Sequence, residues 1–159
     1  MSQSNYDLLI QYLDSHKIIY SALVHEEVFT SQQAAQVRGT QLHQAAKALI
    51  VFADKKPTCL VVPADKKVDT KKFKQQYHIK DLRLATPEEV EQLTNGIKIG
   101  AVHPLGTLYN LPVYQDQGLS DNQEIVFSAG THTHSLKMRY NDYKSLVNPT
   151  IGDFAIKKN

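Results

Sequence analysis

The chain has 159 residues, of which 42% are hydrophobic and 21% are charged, and its formal net charge at pH 7 is +2. These values fit one domain spanning 1–159 with a proper hydrophobic core, and they exclude a largely disordered chain. The N-terminal stretch lacks the basic and apolar regions of a signal peptide, and no apolar run has the length of a membrane span. We therefore expect a cytoplasmic protein without a membrane partner.

The first predicted elements are a helix, a strand and a second, short helix. Ser4 is a candidate N-cap for the first helix, and a strand-like run (IIYSALV) follows at 18–24. The second helix starts at Thr30 or Ser31. It ends at Gly39, because glycine readily adopts the left-handed conformation that terminates helices.

A hairpin is predicted next. Two β-rich runs at 47–53 (KALIVFA) and 58–63 (TCLVVP) are joined by the polar turn 54–57 (DKKP). The only cysteine, Cys59, lies in the second run and cannot form an internal disulfide. A buried structural cysteine is favoured over a catalytic thiol at this position.

The second half of the chain continues with a lysine-rich helix from Asp69 to about Tyr77 and a short strand at 82–85. Thr86 and Glu89 then form a capping box that starts another helix. The remaining elements are expected to be strands at 98–102, 112–115, 124–129 and 135–139 and a helix near 142–147. Helices interleaved with hairpins favour a mixed α/β (α+β) fold around a curved sheet over a regular parallel βαβ array.

Lys47 is unusual because it stands on an apolar strand. Strand periodicity places it on the same face as Leu49 and Val51. Either its stem covers apolar surface while the ammonium group reaches water, or the cation lies at the mouth of a cleft where it meets an anion. The pattern alone does not favour one alternative over the other.

The heptapeptide GAVHPLG at 100–106 contains two glycines and one proline. Most such clusters simply reverse the chain. Alternatively, the loop lines a pocket, where the backbone N–H groups of residues 100–103 stabilise an oxyanion or bind an anion, while Pro104 fixes the wall that carries His103.

His132 and His134 alternate with threonines after the turn at Ala129-Gly130. If this stretch is extended, both imidazoles point to one face, and His103 is a candidate third ligand for a metal ion. No carboxylate or cysteine stands at convincing ligand spacing nearby. A hydrogen-bonding role for one histidine and an exposed position for the other are therefore favoured over a metal site.

Five lysines crowd the segment 64–74 (ADKKVDTKKFK). In this nearly neutral chain they are candidates for contact with a phosphate backbone. A solvated helix face is the simpler interpretation of the run taken by itself.

Several landmarks occur in a definite order along the chain: the lysine in KALIVF, LVVP followed by KKVD, LRLATPEEV, the G-x-x-x-P loop at 100–104, and FSAGTHTHSLKM followed by DY and L. With these landmarks the chain resembles the YbaK/prolyl-tRNA-synthetase-associated family of editing domains from about Ser21 to Phe154. The resemblance implies a mixed sheet curled into a partial barrel and flanked by helices.

The activity implied by the resemblance is hydrolysis, in trans and without a cofactor, of the ester that joins a wrong amino acid to tRNA. The implied partners are the acceptor end of mischarged tRNA and, as a second candidate, an aminoacyl-tRNA synthetase. Lys47 matches the family lysine and would hold the terminal nucleotide or polarise the ester carbonyl. His132 is preferred to His134 because it lies nearer the Ala129-Gly130 turn.

The candidate residues fall into three groups. The catalytic candidates are Lys47, Gly100 and His132. The substrate-binding candidates are Ala101, Val102, His103, Pro104, Gly130 and Thr131, and the tRNA-binding candidates are Lys67, Lys71, Lys72 and Lys74. Two alternatives remain: a non-catalytic module that binds RNA ends, nucleotides or a partner on the same fold, and a small metalloprotein that uses His103, His132 and His134.

Overall fold

The computed structural model of the protein describes residues 4–158. The helices are α1 (Asn5–Ser15), α2 (Ser31–Arg38), α3 (Thr70–Tyr77), α4 (Pro87–Leu93) and α5 (Tyr140–Val147). The strands are β1 (Tyr20–Val24), β2 (Ala46–Ala53), β3 (Lys56–Pro63), β4 (Lys66–Val68), β5 (Leu82–Leu84), β6 (Val113–Asp116), β7 (Glu124–Ser128), β8 (His134–Arg139), β9 (Thr150–Gly152) and β10 (Ala155–Lys157). None of the helices in this part of the chain is both long and apolar enough to cross a membrane.

Within residues 4–158 the strands form sheets of five, three and two strands. The largest has the order β5–β2–β3–β6–β9, in which β2 pairs antiparallel with β5 and β3, and β6 runs parallel to β3 and β9. The second sheet, β1–β8–β7, is antiparallel, and β10 pairs with β4 in the third. A bridge between Ala45 and Val126 joins the first two sheets. The predicted mixed α+β fold is confirmed.

Both faces of β2 are used, and this determines where a cleft can form. Ala46, Ala48 and Ile50 belong to the main core cluster, which also contains apolar residues of α1, α4, α5, β7 and β8. On the opposite face, Val51 packs in a second cluster around Phe73. Toward the start of the strand, Lys47 on this opposite face is exposed and Leu49 is half-buried, and both line a cleft.

Several local predictions are confirmed by side-chain caps. Ser4 caps α1 by accepting from the N–H of Asp7, and the Thr30 capping box starts α2. Thr86 and Glu89 form the predicted capping box at α4. These signals are local, because a cap is satisfied by residues within one turn of the helix.

The predicted strand at 98–102 is wrong. Gly100 has a φ of +88°, outside the β region, and the N–H of Ala101 donates to the carbonyl of Lys98 at 3.0 Å. The segment is therefore a turn that follows α4. The pairing of β4 with β10 and of β9 with β6 was not predicted, because β4, β9 and β10 have only three residues each and depend on a distant partner.

Candidate active site

A cleft of about 740 Å³ opens between α2, the start of β2 and the loops that follow α4 and β7. It contains the three residues predicted to be catalytic, Lys47, Gly100 and His132, together with Val102. The remaining side chains that line it include Phe29, Ser31, Arg38, Leu49, Lys98, Ser128 and Lys158. Residues far apart in the sequence therefore meet in one concave surface.

Lys47 enters the cleft from the uncovered face of β2. Its strand neighbours Ala46 and Ala48 point into the core, so alternation directs the lysine outward, on the same face as Leu49. Partial burial of the ammonium group, together with repulsion from Lys158, lowers the pKa of Lys47. The structure thus places a partly desolvated cation in the cleft beside a second one.

The backbone of Gly100 lies against the ring of His132. A Cβ atom added at Gly100 would stand 3.3 Å from Cε1 of His132, and the φ of +88° is itself unfavourable for any residue with a Cβ. The N–H of Gly130 donates to the carbonyl of Ala101 at 3.0 Å, which joins the two loops. Glycine is required here for both its φ and the close approach of His132.

The other side of His132 faces Phe29. The two ring centroids are 5.3 Å apart, and Phe29 is 72% exposed at the edge of the cleft. His132 is therefore held between an aromatic ring and a glycine backbone. The loop that carries it is fixed by backbone bonds from His25 and Val28 to Thr133 and His132.

Arg38 reaches the cleft from the end of α2. Its Nε donates to Ser135 Oγ at 2.8 Å, and its Nη2 donates to Ser128 Oγ at 3.3 Å. Burial lowers the pKa of Arg38 to about 10. Serine hydroxyls supply hydrogen-bond acceptors to this guanidinium but no compensating negative charge.

The cleft is strongly basic. Arg38, Lys47, Lys98 and Lys158 line it, and no carboxylate side chain does so among residues 4–158. Lys98 forms an ion pair with Glu91, which lies outside the lining. The remaining cations make this concave surface suited to an anionic ligand.

His103 lies outside the cleft, which corrects the expectation that Pro104 holds it against a substrate. Its side chain is buried, where Nδ1 accepts from the N–H of Leu105 at 3.2 Å and Nε2 therefore carries the proton donated to the Tyr109 hydroxyl. Burial lowers the pKa of His103 to about 3, so the ring is neutral. The Pro104 carbonyl likewise faces the core, where it accepts from Tyr143.

The expected set of substrate-binding residues is reduced accordingly. Val102 lines the cleft, whereas Ala101, His103, Pro104, Gly130 and Thr131 do not. Ala101 and Gly130 instead fix the relative position of the two loops through their mutual backbone bond. Ala101 and Gly130 therefore position the loops of the cleft without forming its surface.

The three histidines of the metal hypothesis do not come together. His132 and Thr133 lie in a turn rather than an extended strand, and His134 begins β8. The His134 ring packs on Tyr6 of α1, and its Nδ1 hydrogen-bonds to the Thr131 hydroxyl at 2.7 Å. Residues 4–158 contain no cluster of three or more histidine, cysteine, aspartate or glutamate side chains arranged to hold a metal ion.

The predicted lysines lie beside the cleft rather than in it. Lys67 is on β4, and α3 carries Lys71, Lys72 and Lys74, with Lys72 paired to Asp153 at 3.1 Å. Pairing of β4 with β10 connects this segment to Lys158, which follows β10 and lines the cleft. The ribbon thus links the lysine-rich surface to the basic cleft.

The C-terminal ribbon is anchored by the buried Asp116. Its Oδ1 accepts from the N–H groups of Phe154 and Ala155 at 2.9 and 3.0 Å. These bonds fix the segment that brings Lys158 to the cleft.

Comparison with known proteins assigns this architecture to a family. The sequence profile of the aminoacyl-tRNA editing domain matches residues 25–146. The chain belongs to the aminoacyl-tRNA editing domain family. The multifunctional Ser/Thr-tRNA deacylase ProXp-y of Escherichia coli K12 is 30% identical over 153 residues, which cover 92% of this chain and 90% of that protein.

Two further similar proteins differ in how much of their length the match covers. The proline–tRNA ligase of Solidesulfovibrio magneticus is 35% identical over 109 residues, which are 67% of this chain but 18% of the ligase. A solved structure described as a candidate trans-editing enzyme for prolyl tRNA synthetase superposes with a TM-score of 0.83 at 25% identity, and the match covers 100% of both chains. A segment similar to this chain therefore occurs both within a synthetase chain and as a chain of about this size.

Sequence reasoning missed Arg38, Phe29 and Lys158. A partial signal existed for Arg38, because it stands four residues after Ala34 on α2 and so shares a helix face with that buried alanine. No local signal points to Phe29 or Lys158. Their positions depend on the loop before α2 and on the distant pairing of β10 with β4.

Proposed function

We propose that this chain is an aminoacyl-tRNA deacylase that acts in trans on mischarged tRNA in the cytoplasm. Membership of the editing-domain family supports the reaction class. The match over 90% of a deacylase that is named for Ser- and Thr-tRNA supports action without a fused synthetase. That relative also makes seryl and threonyl esters the first substrates to test here.

The observation that carries the proposal is the composition of the cleft. Lys47, Gly100 and His132 meet in a concave basic surface without carboxylates among the described residues. An aminoacyl ester at the 3′ end of tRNA brings a phosphate backbone next to a carbonyl that becomes an oxyanion during hydrolysis. Cations in the cleft stabilise both charges.

The reaction needs only a positioned water molecule, because the aminoacyl ester is already activated. Water adds to the carbonyl carbon, the tetrahedral intermediate collapses, and the bond to the ribose oxygen breaks to leave the free amino acid and a tRNA hydroxyl. Lys47 stabilises the oxyanion or holds the terminal nucleotide, and His132 orients the attacking water. A neighbouring ribose hydroxyl of the substrate accepts a proton from that water while it passes its own proton to the departing ribose oxygen.

Direct attack by water is preferred to a covalent intermediate. Cys59 is fully buried in β3, and burial raises the pKa of its thiol to about 12, which leaves no thiolate at neutral pH. The Ser128 hydroxyl in the cleft is bonded to Arg38 rather than to a base.

The acceptor end of the tRNA would approach along the β4–β10 ribbon. Lys67, Lys71 and Lys74 extend the basic surface from Lys158 and are suited to phosphate contacts. Phe29, exposed at the cleft edge, offers a ring on which the terminal base can stack. A synthetase that handles the same tRNA is the proposed protein partner.

The test is a deacylation assay with purified protein and tRNAs charged with each of the amino acids in turn. We expect at least one ester, with serine and threonine as the leading candidates, to be hydrolysed far faster than it is spontaneously. In Lys47→Ala this acceleration should fall by roughly 10²–10³-fold. If no aminoacyl-tRNA is hydrolysed above the spontaneous rate while the protein still binds the RNA, the chain is a binding module and the proposed function is rejected.

A further inference from the structure

Arg38 is a half-buried cation in the cleft, and its protein contacts do not neutralise its charge. Of its five guanidinium N–H donors, one on Nε and one on Nη2 contact the hydroxyls of Ser135 and Ser128. No carboxylate lies within ion-pair distance of it in the described part of the chain. A desolvated cation of this kind is costly unless a ligand supplies the opposite charge.

The hydroxyl contacts orient the guanidinium rather than neutralise it. His25 Nδ1 donates to the carbonyl of Glu26 at 2.7 Å, so its Nε2 accepts from the Ser135 hydroxyl at 2.8 Å. The Ser135 oxygen is then free to accept from Arg38 Nε. This chain of bonds holds the planar fork in one position within the lining of the cleft.

We propose that Arg38 binds the phosphodiester immediately 5′ of the esterified terminal nucleoside, an inference that rests on the proposed function. A phosphodiester carries a full negative charge before the reaction starts, whereas the ester carbonyl becomes charged only in the transition state. A guanidinium that is already half-buried and without a counter-charge in the ground state is matched by the ligand that is charged in the ground state. Its planar fork also fits two phosphate oxygens at once.

This assignment separates two tasks within the cleft. Arg38 fixes the nucleotide through its phosphate, and Lys47 is left to act at the ester. Lys158, which repels Lys47, is exposed and contributes to the general attraction of RNA. The division predicts that loss of Arg38 weakens substrate binding selectively for substrates that contain the phosphodiester.

The experiment compares two small esters of the amino acid found to be most active in the tRNA panel. One is the 2′(3′)-aminoacyl ester of adenosine, and the other is the same compound with a 5′-methyl phosphodiester. We expect wild-type kcat/KM to favour the phosphodiester by at least about 30-fold. We expect Arg38→Gln to lower this preference by about 30-fold, mainly through KM, and Arg38→Lys to restore only part of it.

Two controls separate phosphate binding from a structural role of Arg38. Arg83→Gln removes a guanidinium that pairs with Glu89 outside the cleft, and it should keep the wild-type preference. Ser135→Ala removes the orienting hydroxyl but leaves the guanidinium. If Ser135→Ala and Arg38→Gln each lower kcat/KM by the same factor for the two esters, the preference for the phosphodiester is unchanged. Arg38 then only supports the loop, and the inference is overturned.

The inference remains testable if Arg38→Gln fails to fold. A wild-type ratio of kcat/KM near one for the two esters overturns the inference, whatever the variants show. Titration calorimetry with adenosine and adenosine 5′-methylphosphate provides a readout without hydrolysis. Tighter binding of the phosphodiester that is reduced but not abolished in Arg38→Lys supports the inference, and equal binding of both compounds to wild type contradicts it. If neither ester is hydrolysed but this binding difference is observed, the proposed reaction fails while the phosphate site stands.

Discussion

His132 and His103 lie on opposite sides of the loop that contains Gly100, and the structure gives them opposite environments. His132 lines the basic cleft between Phe29 and the Gly100 backbone. His103, only three residues after Gly100, is buried against Tyr109 and is neutral because burial lowers its pKa to about 3. Proximity in sequence to the glycine therefore does not determine which histidine can meet a substrate.

The comparison shows how one loop serves both stability and chemistry. On one side of the loop, His103 accepts a hydrogen bond from the Leu105 N–H and donates one to the Tyr109 hydroxyl, and these bonds fix the backbone near Gly100. The His132 side remains open to solvent and to the cations of the cleft. If the comparison is right, changes on the cleft side alter rates, and changes on the buried side alter stability.

The largest effect is expected at Lys47 on the cleft side. Lys47→Ala should lower kcat/KM by roughly 10²–10³-fold, which is on the order of 3–4 kcal/mol of transition-state stabilisation. The melting temperature should not fall, because the variant removes a partly desolvated cation that Lys158 repels. Lys47→Arg distinguishes a general phosphate anchor, which arginine would restore, from action at the ester, which it would not. If Lys47→Ala hydrolyses its substrates at the wild-type rate, the assignment of Lys47 to the catalytic site is wrong.

Gly100→Ala should separate catalytic from backbone effects. The new Cβ would press on His132, and we expect about a 10–100-fold loss of kcat/KM because the loop geometry shifts. Gly96→Ala is the matched control: its φ is +102°, but nothing lies within 4 Å of the added Cβ. Both variants should lose about 1–2 kcal/mol of stability through backbone strain, and Gly100→Ala alone should lose activity. Equal activity in the two variants would mean that the Gly100 loop is only a structural turn.

His103 should control acid stability rather than rate. The unfolded chain binds a proton at this histidine near pH 6.5, and the folded protein does so only near pH 3, so protons favour unfolding between these values. The contribution of neutral His103 to the free energy of unfolding is fully present above about pH 6.5. It falls by at most about 1.4 kcal/mol per pH unit as the pH decreases below that value. His103→Asn, whose side-chain oxygen can still accept from Leu105, should flatten this dependence in melting curves. An unchanged slope would assign the acid sensitivity to other groups.

The lysine-rich surface should show the smallest effect and only on binding. Replacing Lys71, Lys72 and Lys74 with glutamine should raise KM several-fold for tRNA and make the logarithmic salt dependence shallower by about 0.7–0.9 per lost phosphate contact. Lys72 contributes least to this change because it is already paired with Asp153. The matched control replaces Lys55, Lys56 and Lys80, three exposed lysines near the far end of the β2–β3 hairpin. If both triple variants weaken binding equally, the effect reflects net charge rather than a defined RNA path.

Features that depend only on residues close in sequence could be predicted. Features that depend on contacts between distant segments could not. The Thr30 and Thr86 caps were predictable because each involves neighbours three residues away. The orientation of His103 was not, since it depends on Tyr109 and on the burial of the whole loop. Lys158 was missed for the same reason, because strand pairing and the Asp116 anchor bring it to the cleft.

Within the candidate site, Lys47 was recognisable from its place on an apolar strand, and the family pattern supplied Gly100 and His132. The turn at Gly100 was wrongly predicted as a strand because the run 98–102 is mostly apolar, although Ile99 is 51% exposed. Arg38 carried only the weak signal of sharing a face with Ala34.

The most direct test of the central claim follows the histidine ring resonances by NMR. The ligand is an aminoacyl-adenosine analogue in which an amide replaces the ester, so that it cannot be hydrolysed, and the signals are assigned with His132→Gln and His103→Asn. We expect saturable shifts in the His132 resonances and none in those of His103. Shifts at His103 with His132 unchanged at saturating analogue would contradict the account and place the ligand on the opposite side of the loop.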